Sequence, residues 1–285
     1  MITSDLIQQR INRLPSLPTS VFALGEIALD ERSTLDDVYR ILVKDPALSS
    51  CILRLANSTL LAADNYASDL RMAIQRLGMD AIINLSRGVA VIRNYKASES
   101  LNVVHLWQHS TAVGLTAKAV CGYLKSFALA ETAFLAGLLH DIGKIALDRC
   151  FPEEYRPVLE AIREGEDELE AEKKYLNTTH VEVGAQVAVL WKFHESITEA
   201  IRDHHDPKHG AFLPNIIHYC DLLVRTRLPY GPSDDKLVLN LSGETSFNGM
   251  ITGISGNIPD VEYLTFRIDD EVDHAIAFVQ QAFQD

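Results

Sequence analysis

Seven side chains between residues 109 and 221 could do chemistry together: His109, His140, Asp141, His180, His204, His205 and Asp221. His140 and Asp141 are adjacent in the apolar stretch "FLAGLLHDIGKIAL", residues 134–147. A histidine and a carboxylate are costly to bury unless something satisfies them. His204 and His205 form a second adjacent pair in "AIRDHHDP". Asp221 shares a helical face with Ile217 and Val224, which directs its carboxylate toward the interior. An inward aspartate needs a strong partner or its pKa rises until it is neutral, and a divalent metal is one such partner.

Imidazole plus carboxylate is a mixed, fairly hard ligand set. It suits Mn, Fe, Ni, Co or Zn, and Mg less well. Five histidines and two aspartates exceed the needs of one ion. They suit two ions a few ångströms apart that share a carboxylate, a device for attacking phosphoesters. Asp141 is the natural bridge, because His140 can bind one of the same ions. The resulting partition puts His109, His140, Asp141 and Asp221 on one ion and Asp141, His180, His204 and His205 on the other. Taken singly, each histidine reads more readily as a core residue bonded to a carbonyl, but the adjacent pairs are harder to explain that way. Lys144 follows Asp141 by three residues, so a helix returns it to the same side, where it could neutralise a substrate phosphate. A lysine whose stem snorkels to the surface is the alternative. His105, His194, His209, His218 and His274 are assigned to surface, capping or packing, with His105 one helical turn before His109.

The elements that must position these residues read as helices, and the predicted fold class is all-α. "STLDDVYRILVKDP" offers Ser33 or Thr34 as a cap, and "DPALSSCILRLANS" offers Asp45 as a cap with Pro46 at the first helical position. Leu48, Ile52 and Leu55 share a face, and Gly78 breaks the helical period of 69–92. The charged run 152–176 reads as an exposed helix with a break near Gly165. After residue 228 the chain turns rich in Gly, Pro, Ser and Asn, with a short strand expected at 236–241 and a last amphipathic helix at 262–283. The expected division is an N-terminal helical part (10–95) packed on a metal-binding helical part (96–228), followed by a loop-rich tail with a terminal helix (229–285).

Composition bounds the function. The chain has 285 residues, 26 basic and 39 acidic side chains and a formal charge of −13. That balance argues against a broad nucleic-acid surface. Cys51, Cys121, Cys150 and Cys220 are far apart and form no C-x-x-C pair, which fits reduced structural thiols. The N-terminal stretch has no signal-peptide core, and no run of about 18 apolar residues suggests a membrane span. The expectation is a cytoplasmic protein.

Together these residues resemble the HD superfamily of metal-dependent phosphohydrolases, in which a histidine, an adjacent His-Asp and a distant Asp recur. His109, His140–Asp141 and Asp221 match that set. His180, His204 and His205 match the additional histidines of the HD-GYP cyclic-di-GMP phosphodiesterases, and Lys144 matches the phosphate-contacting lysine of "HDIGK". The chain resembles most closely the HDOD family, the HD-related output domain of bacterial signalling proteins. "LPSLP" (14–18), "DPALSSCILRLANS" (45–58), "AIQRLG" (73–78), "FLAGLLHDIGKIAL", "HVEVGAQVAVLW" and "AIRDHH" follow in the family's order. The resemblance covers about residues 10 to 225 and implies metal residues on facing helices. After "HHD" comes "PKHGAFLPN", not a GYP loop, so the cyclic-di-GMP substrate does not carry over.

Two function classes follow. The first is a metal-dependent phosphohydrolase acting on a phosphodiester or nucleotide. In it Asp141 bridges two divalent ions, with iron or manganese favoured and nickel, cobalt, zinc and magnesium as alternatives, and Lys144 helps bind phosphate. The second is a signalling module that binds a partner protein or a nucleotide without turnover. The expected partner is a small phosphorylated ligand or a signalling protein, with no nucleic acid and no membrane. The oligomeric state is open.

Overall fold

A computed structural model describes residues 2–57, 67–98, 100–208, 210–228 and 261–283, with side chains omitted for 261–267. The expected strand at 236–241, His209 and most of the tail lie outside the described residues. Within them there is no strand, and the chain is a succession of helices. None is long and apolar enough to cross a membrane.

The N-terminal helices are α1 (Ser4–Ile11), α2 (Thr19–Leu29), α3 (Leu35–Leu42), α4 (Pro46–Ala56), α5 (Leu70–Leu77) and α6 (Met79–Asn94). Local chemistry sets their ends. Thr34 and Asp37 form a reciprocal capping box at the start of α3. Asp45 caps α4, with Pro46 at its first position. Gly78, at φ +85°, separates α5 from α6 in a conformation that glycine adopts without strain.

The second half comprises α7 (Val103–Tyr123), α8 (Ala130–Leu139), α9 (Ile142–Cys150), α10 (Pro152–Arg163), α11 (Glu168–Leu176), α12 (His180–Leu190), α13 (Glu195–Asp203) and α14 (Phe212–Arg225). A last helix, α15 (Val261–Phe283), packs along α7 and also touches α4, α6 and α14. One continuous apolar core runs from Ile7 and Leu24 through Leu55, Ile92 and Trp107 to Phe278. The helices of the two halves share that core, with α6 lying against α8 and α1 against α9 and α12. All four cysteines are buried free thiols.

Helix α7 is the central element, flanked by α8, α14 and α15. Its Gly114 faces Gly137 of α8 so closely that a Cβ on Gly137 would strike the Gly114 backbone. That approach draws the His109 end of α7 and the His140 end of α8 together.

The charged run 152–176 corrects the sequence reading. The break is at Gly165 (φ +98°), but the two helices are not simply exposed. Tyr155, Val158, Ala161, Ala171 and Leu176 are buried, and so is the carboxylate of Glu172, at 0% exposure. Periodicity in a charged run hides a buried face when the charges on that face have partners elsewhere in the chain.

Candidate metal centre

The stretch 134–147 is two helices. α8 ends at Leu139 with His140 as its C-cap, and α9 begins after Asp141, whose φ of −99° and ψ of 12° leave the helical path. The break lets both side chains point to one place. His109 comes from α7, His180 opens α12, His204 and His205 close α13, and Asp221 comes from α14. A capping box between Thr179 and Glu182 fixes the start of α12, and with it His180. All seven predicted residues meet in one cluster. His109, His140, Asp141, His180, His204 and Asp221 are at most 5% exposed.

Asp141 lies at the centre. Its Oδ2 is 3.4 Å from His140 Nε2, and its Oδ1 is 3.4 Å from His180 Nε2 and 3.8 Å from His204 Nε2. His180 and His205 face each other with their Nε2 atoms 3.1 Å apart. His109 Nε2 donates to Asp221 Oδ1 at 2.9 Å, and His140 Nε2 lies 3.9 Å from the same oxygen.

The other ring nitrogens set the tautomers. Nδ1–H of His140 donates to the Gly137 carbonyl (2.7 Å), and Nδ1–H of His204 donates to the Ile201 carbonyl (2.8 Å). Nδ1–H of His180 donates to Glu172 Oε2 at 2.8 Å. With Nδ1 protonated, each Nε2 presents a lone pair to the cluster.

The electrostatics run against burial. Burial alone would lift the Asp141 carboxyl, yet His140, Lys144 and His180 hold it well below the usual carboxylate range. Asp221 is likewise held low by His109 and Arg225. Burial would also keep His140 and His180 neutral, but the carboxylates of Asp141 and Glu172 raise them above the ordinary histidine value. His204 is pushed well down by burial and by His205. His205 falls to about 4, chiefly by burial and then by His180.

Two groups of donor atoms lie within 4.8 Å of one another: Asp141, His180, His204 and His205, and His109, His140 and Asp141. Asp221 joins the second through its bond to His109. Asp141 Oδ1 and His204 Nε2 are both buried acceptors with no hydrogen-bond donor. A cation between them satisfies both, so this donor set fits divalent metal. A third group, Glu168, Glu172 and His180, adds two carboxylates that the sequence reading missed. Both sit in the charged run of α11, and a buried glutamate there carries no local signal.

Lys144 is buried, not snorkelling. Its Nζ lies 2.9 Å from Asp141 Oδ2 and 2.9 Å from Glu168 Oε1. Of the remaining histidines, His194 caps α13, and His218 donates from Nδ1 to the His204 carbonyl at 2.5 Å. His105 lines a cleft of about 510 Å³ that opens onto the cluster between α7, α10 and α11. Lys144, Glu168, His205, Asp221 and Arg225 also face it.

A helical bundle with a histidine–aspartate cluster at a helix break defines the class of protein. The chain belongs to the HDOD domain family, whose sequence profile matches residues 14–207. A crystal structure of an HDOD domain protein of unknown function from Geobacter sulfurreducens is similar over 98% of this chain and 97% of that one, at 25% identity and a TM-score of 0.83. A phosphohydrolase candidate from Shewanella amazonensis SB2B shares the fold over 97% of this chain and 98% of its own, at 24% identity and a TM-score of 0.77. An uncharacterized protein of Treponema pallidum (strain Nichols) is 26% identical over 209 residues. That match covers 72% of this chain and 40% of the Treponema protein.

Proposed function

We propose that this protein is a bacterial signal-transduction HDOD protein with a metal-dependent phosphohydrolase site acting on a phosphodiester or nucleotide. The observation that carries the reading is the placement of Asp141. Its two carboxylate oxygens face different histidines, and Oδ1 has no donor of its own. His109, His140, Asp141 and Asp221 would hold one ion, and Asp141, His180, His204 and His205 the second. Iron or manganese is favoured by the mixed imidazole–carboxylate set.

Such ions polarise a phosphoryl oxygen and activate water for attack. The chain's own residues do the rest. Asp141 holds the two halves of the cluster together. Glu172 and the carbonyls of Gly137 and Ile201 orient the imidazoles. Lys144 offers an ammonium to a substrate phosphate, moving from its carboxylates as the anion enters. The apolar wall of the cleft, with Leu159 and Ile162, excludes water from one side.

One observation favours a second reading, a module that binds a partner protein or nucleotide without turnover. Lys144 is already held between two carboxylates, Asp141 and Glu168. One experiment separates the two. Protein purified without chelator after manganese or iron supplementation is analysed for metal and assayed on an aryl phosphodiester and a nucleotide panel. Bound metal with turnover supports the enzyme. Bound metal without turnover on any substrate favours the binding module, and absence of metal overturns both the ligand assignment and the enzyme.

A further inference from the structure

A second cleft, of about 680 Å³, lies away from the cluster where α1 meets the corner between α9 and α10. Three arginines line it: Arg10 from α1, Arg13 just beyond it, and Arg149 near the end of α9. In a chain with a formal charge of −13 this convergence is unusual. None of the three guanidinium groups pairs with a carboxylate among the described residues. Arg10 donates to the Cys150 carbonyl at 2.5 Å and lies 4.7 Å over the Phe151 ring. Arg149 lies 5.0 Å over the buried ring of Tyr95. Arg10 and Arg149 are therefore positioned by apolar and carbonyl contacts, with charge to spare.

Among the described residues the one carboxylate in the lining is Asp148, which is buried and accepts a hydrogen bond from Ser98. Among the described residues, three guanidinium groups against one carboxylate leave two positive charges, which match a phosphate dianion. Leu14, Pro15 and Pro152 supply an apolar wall beside them. The volume falls in the usual range for small-ligand sites, about 300–1,000 Å³. Arginine suits phosphate because its planar fork donates two parallel hydrogen bonds.

We propose that this cleft is a binding site for a phosphate monoester of nucleotide size, distinct from the metal cluster. Its occupant ties α1 to the far end of α9. The nine residues of α9, at about 1.5 Å per residue, separate it from Asp141. This goes beyond the proposed phosphohydrolase site and does not depend on turnover there.

The test is calorimetric titration of the full metal-loaded chain with AMP and, separately, with inorganic phosphate. Three proteins are compared: wild type, the double variant Arg13→Ala/Arg149→Ala, and Lys144→Ala. Arg13 and Arg149 are exposed, so their removal spares the core. AMP is expected to bind the wild type, with inorganic phosphate weaker. Binding should fall at least tenfold in the double variant, with metal content and circular dichroism unchanged, and should persist in Lys144→Ala. No AMP binding to the wild type, or equal binding to the double variant, would overturn the proposal. Loss confined to Lys144→Ala would also overturn it, by placing the phosphate at the metal cluster.

Discussion

Glu172 accepts two hydrogen bonds from His180, one from its backbone N–H and one from its Nδ1–H, each at 2.8 Å. The carboxylate thus fixes both the start of α12 and the tautomer of a cluster imidazole. Outer-shell partners of this kind are typically worth about 10–100-fold in metal affinity. Glu172→Gln is expected to keep the fold and weaken metal binding by about that factor. Competition with a calibrated chelator measures it, and unchanged affinity would refute the role.

Asp141→Ala should remove the metal from both halves of the cluster, because the two groups share that carboxylate. Activity should fall by several orders of magnitude with it. Elemental analysis and turnover are read on the same preparation. A variant that keeps one ion at full stoichiometry would show that Asp141 is not the shared ligand, and a rate surviving the substitution would point to a contaminating enzyme.

Lys144→Ala is expected to leave metal content intact and to raise KM more than it lowers kcat, since it deletes a charge contact and no ligand. A loss of metal would instead assign the ammonium to holding Asp141 and Glu168 in place.

Gly143→Ala tests the crossing that brings α12 onto α9. A Cβ at Gly143 would strike the carbonyl of His180, a backbone atom that cannot turn aside. The expected loss of stability is about 3 kcal/mol or more, read as a lowered midpoint in denaturant. A stability equal to wild type would mean that the two helices separate without cost.

Protein stripped of metal by a chelator should lose stability on acidification from pH 6.5 toward 4. The folded chain refuses protons at His204 and at His205, which is lowered to about 4, while the unfolded chain accepts them near 6.5. For His205 the effect is at most about 3 kcal/mol, at 1.36 kcal/mol per pKa unit. His140 and His180, raised in the folded state, contribute fully below 6.5 and lose their contribution as pH rises through their folded values. Asp141 and Asp221 are lowered, so their contribution is lost only at more acidic pH. Glu172, raised by burial, runs the other way. Thermal melts across this range should fall in wild type and fall less in His205→Gln. A melting temperature that rises on acidification would refute the assignment.

By itself the sequence determined the helical class, the seven residues of the cluster and their kinship to the HDOD family. Each of those rests on residue type and spacing. Apolar periodicity makes helices, cap residues such as Thr34, Asp45 and Thr179 start them, and adjacent polar pairs in apolar stretches announce a buried site. Tertiary structure alone decided three things. It divided "FLAGLLHDIGKIAL" at the His-Asp pair, since neighbouring helices hold the break that aims both side chains inward. It buried Glu172 against His180 and set Glu168 against Lys144, because a charge leaves water only when a partner arrives, and those partners lie 8 and 24 residues away. It drew Arg10, Arg13 and Arg149 into one cleft across some 140 residues of chain. Local sequence carries no trace of such meetings, because the free energy that holds them belongs to contacts formed only once the helices have packed.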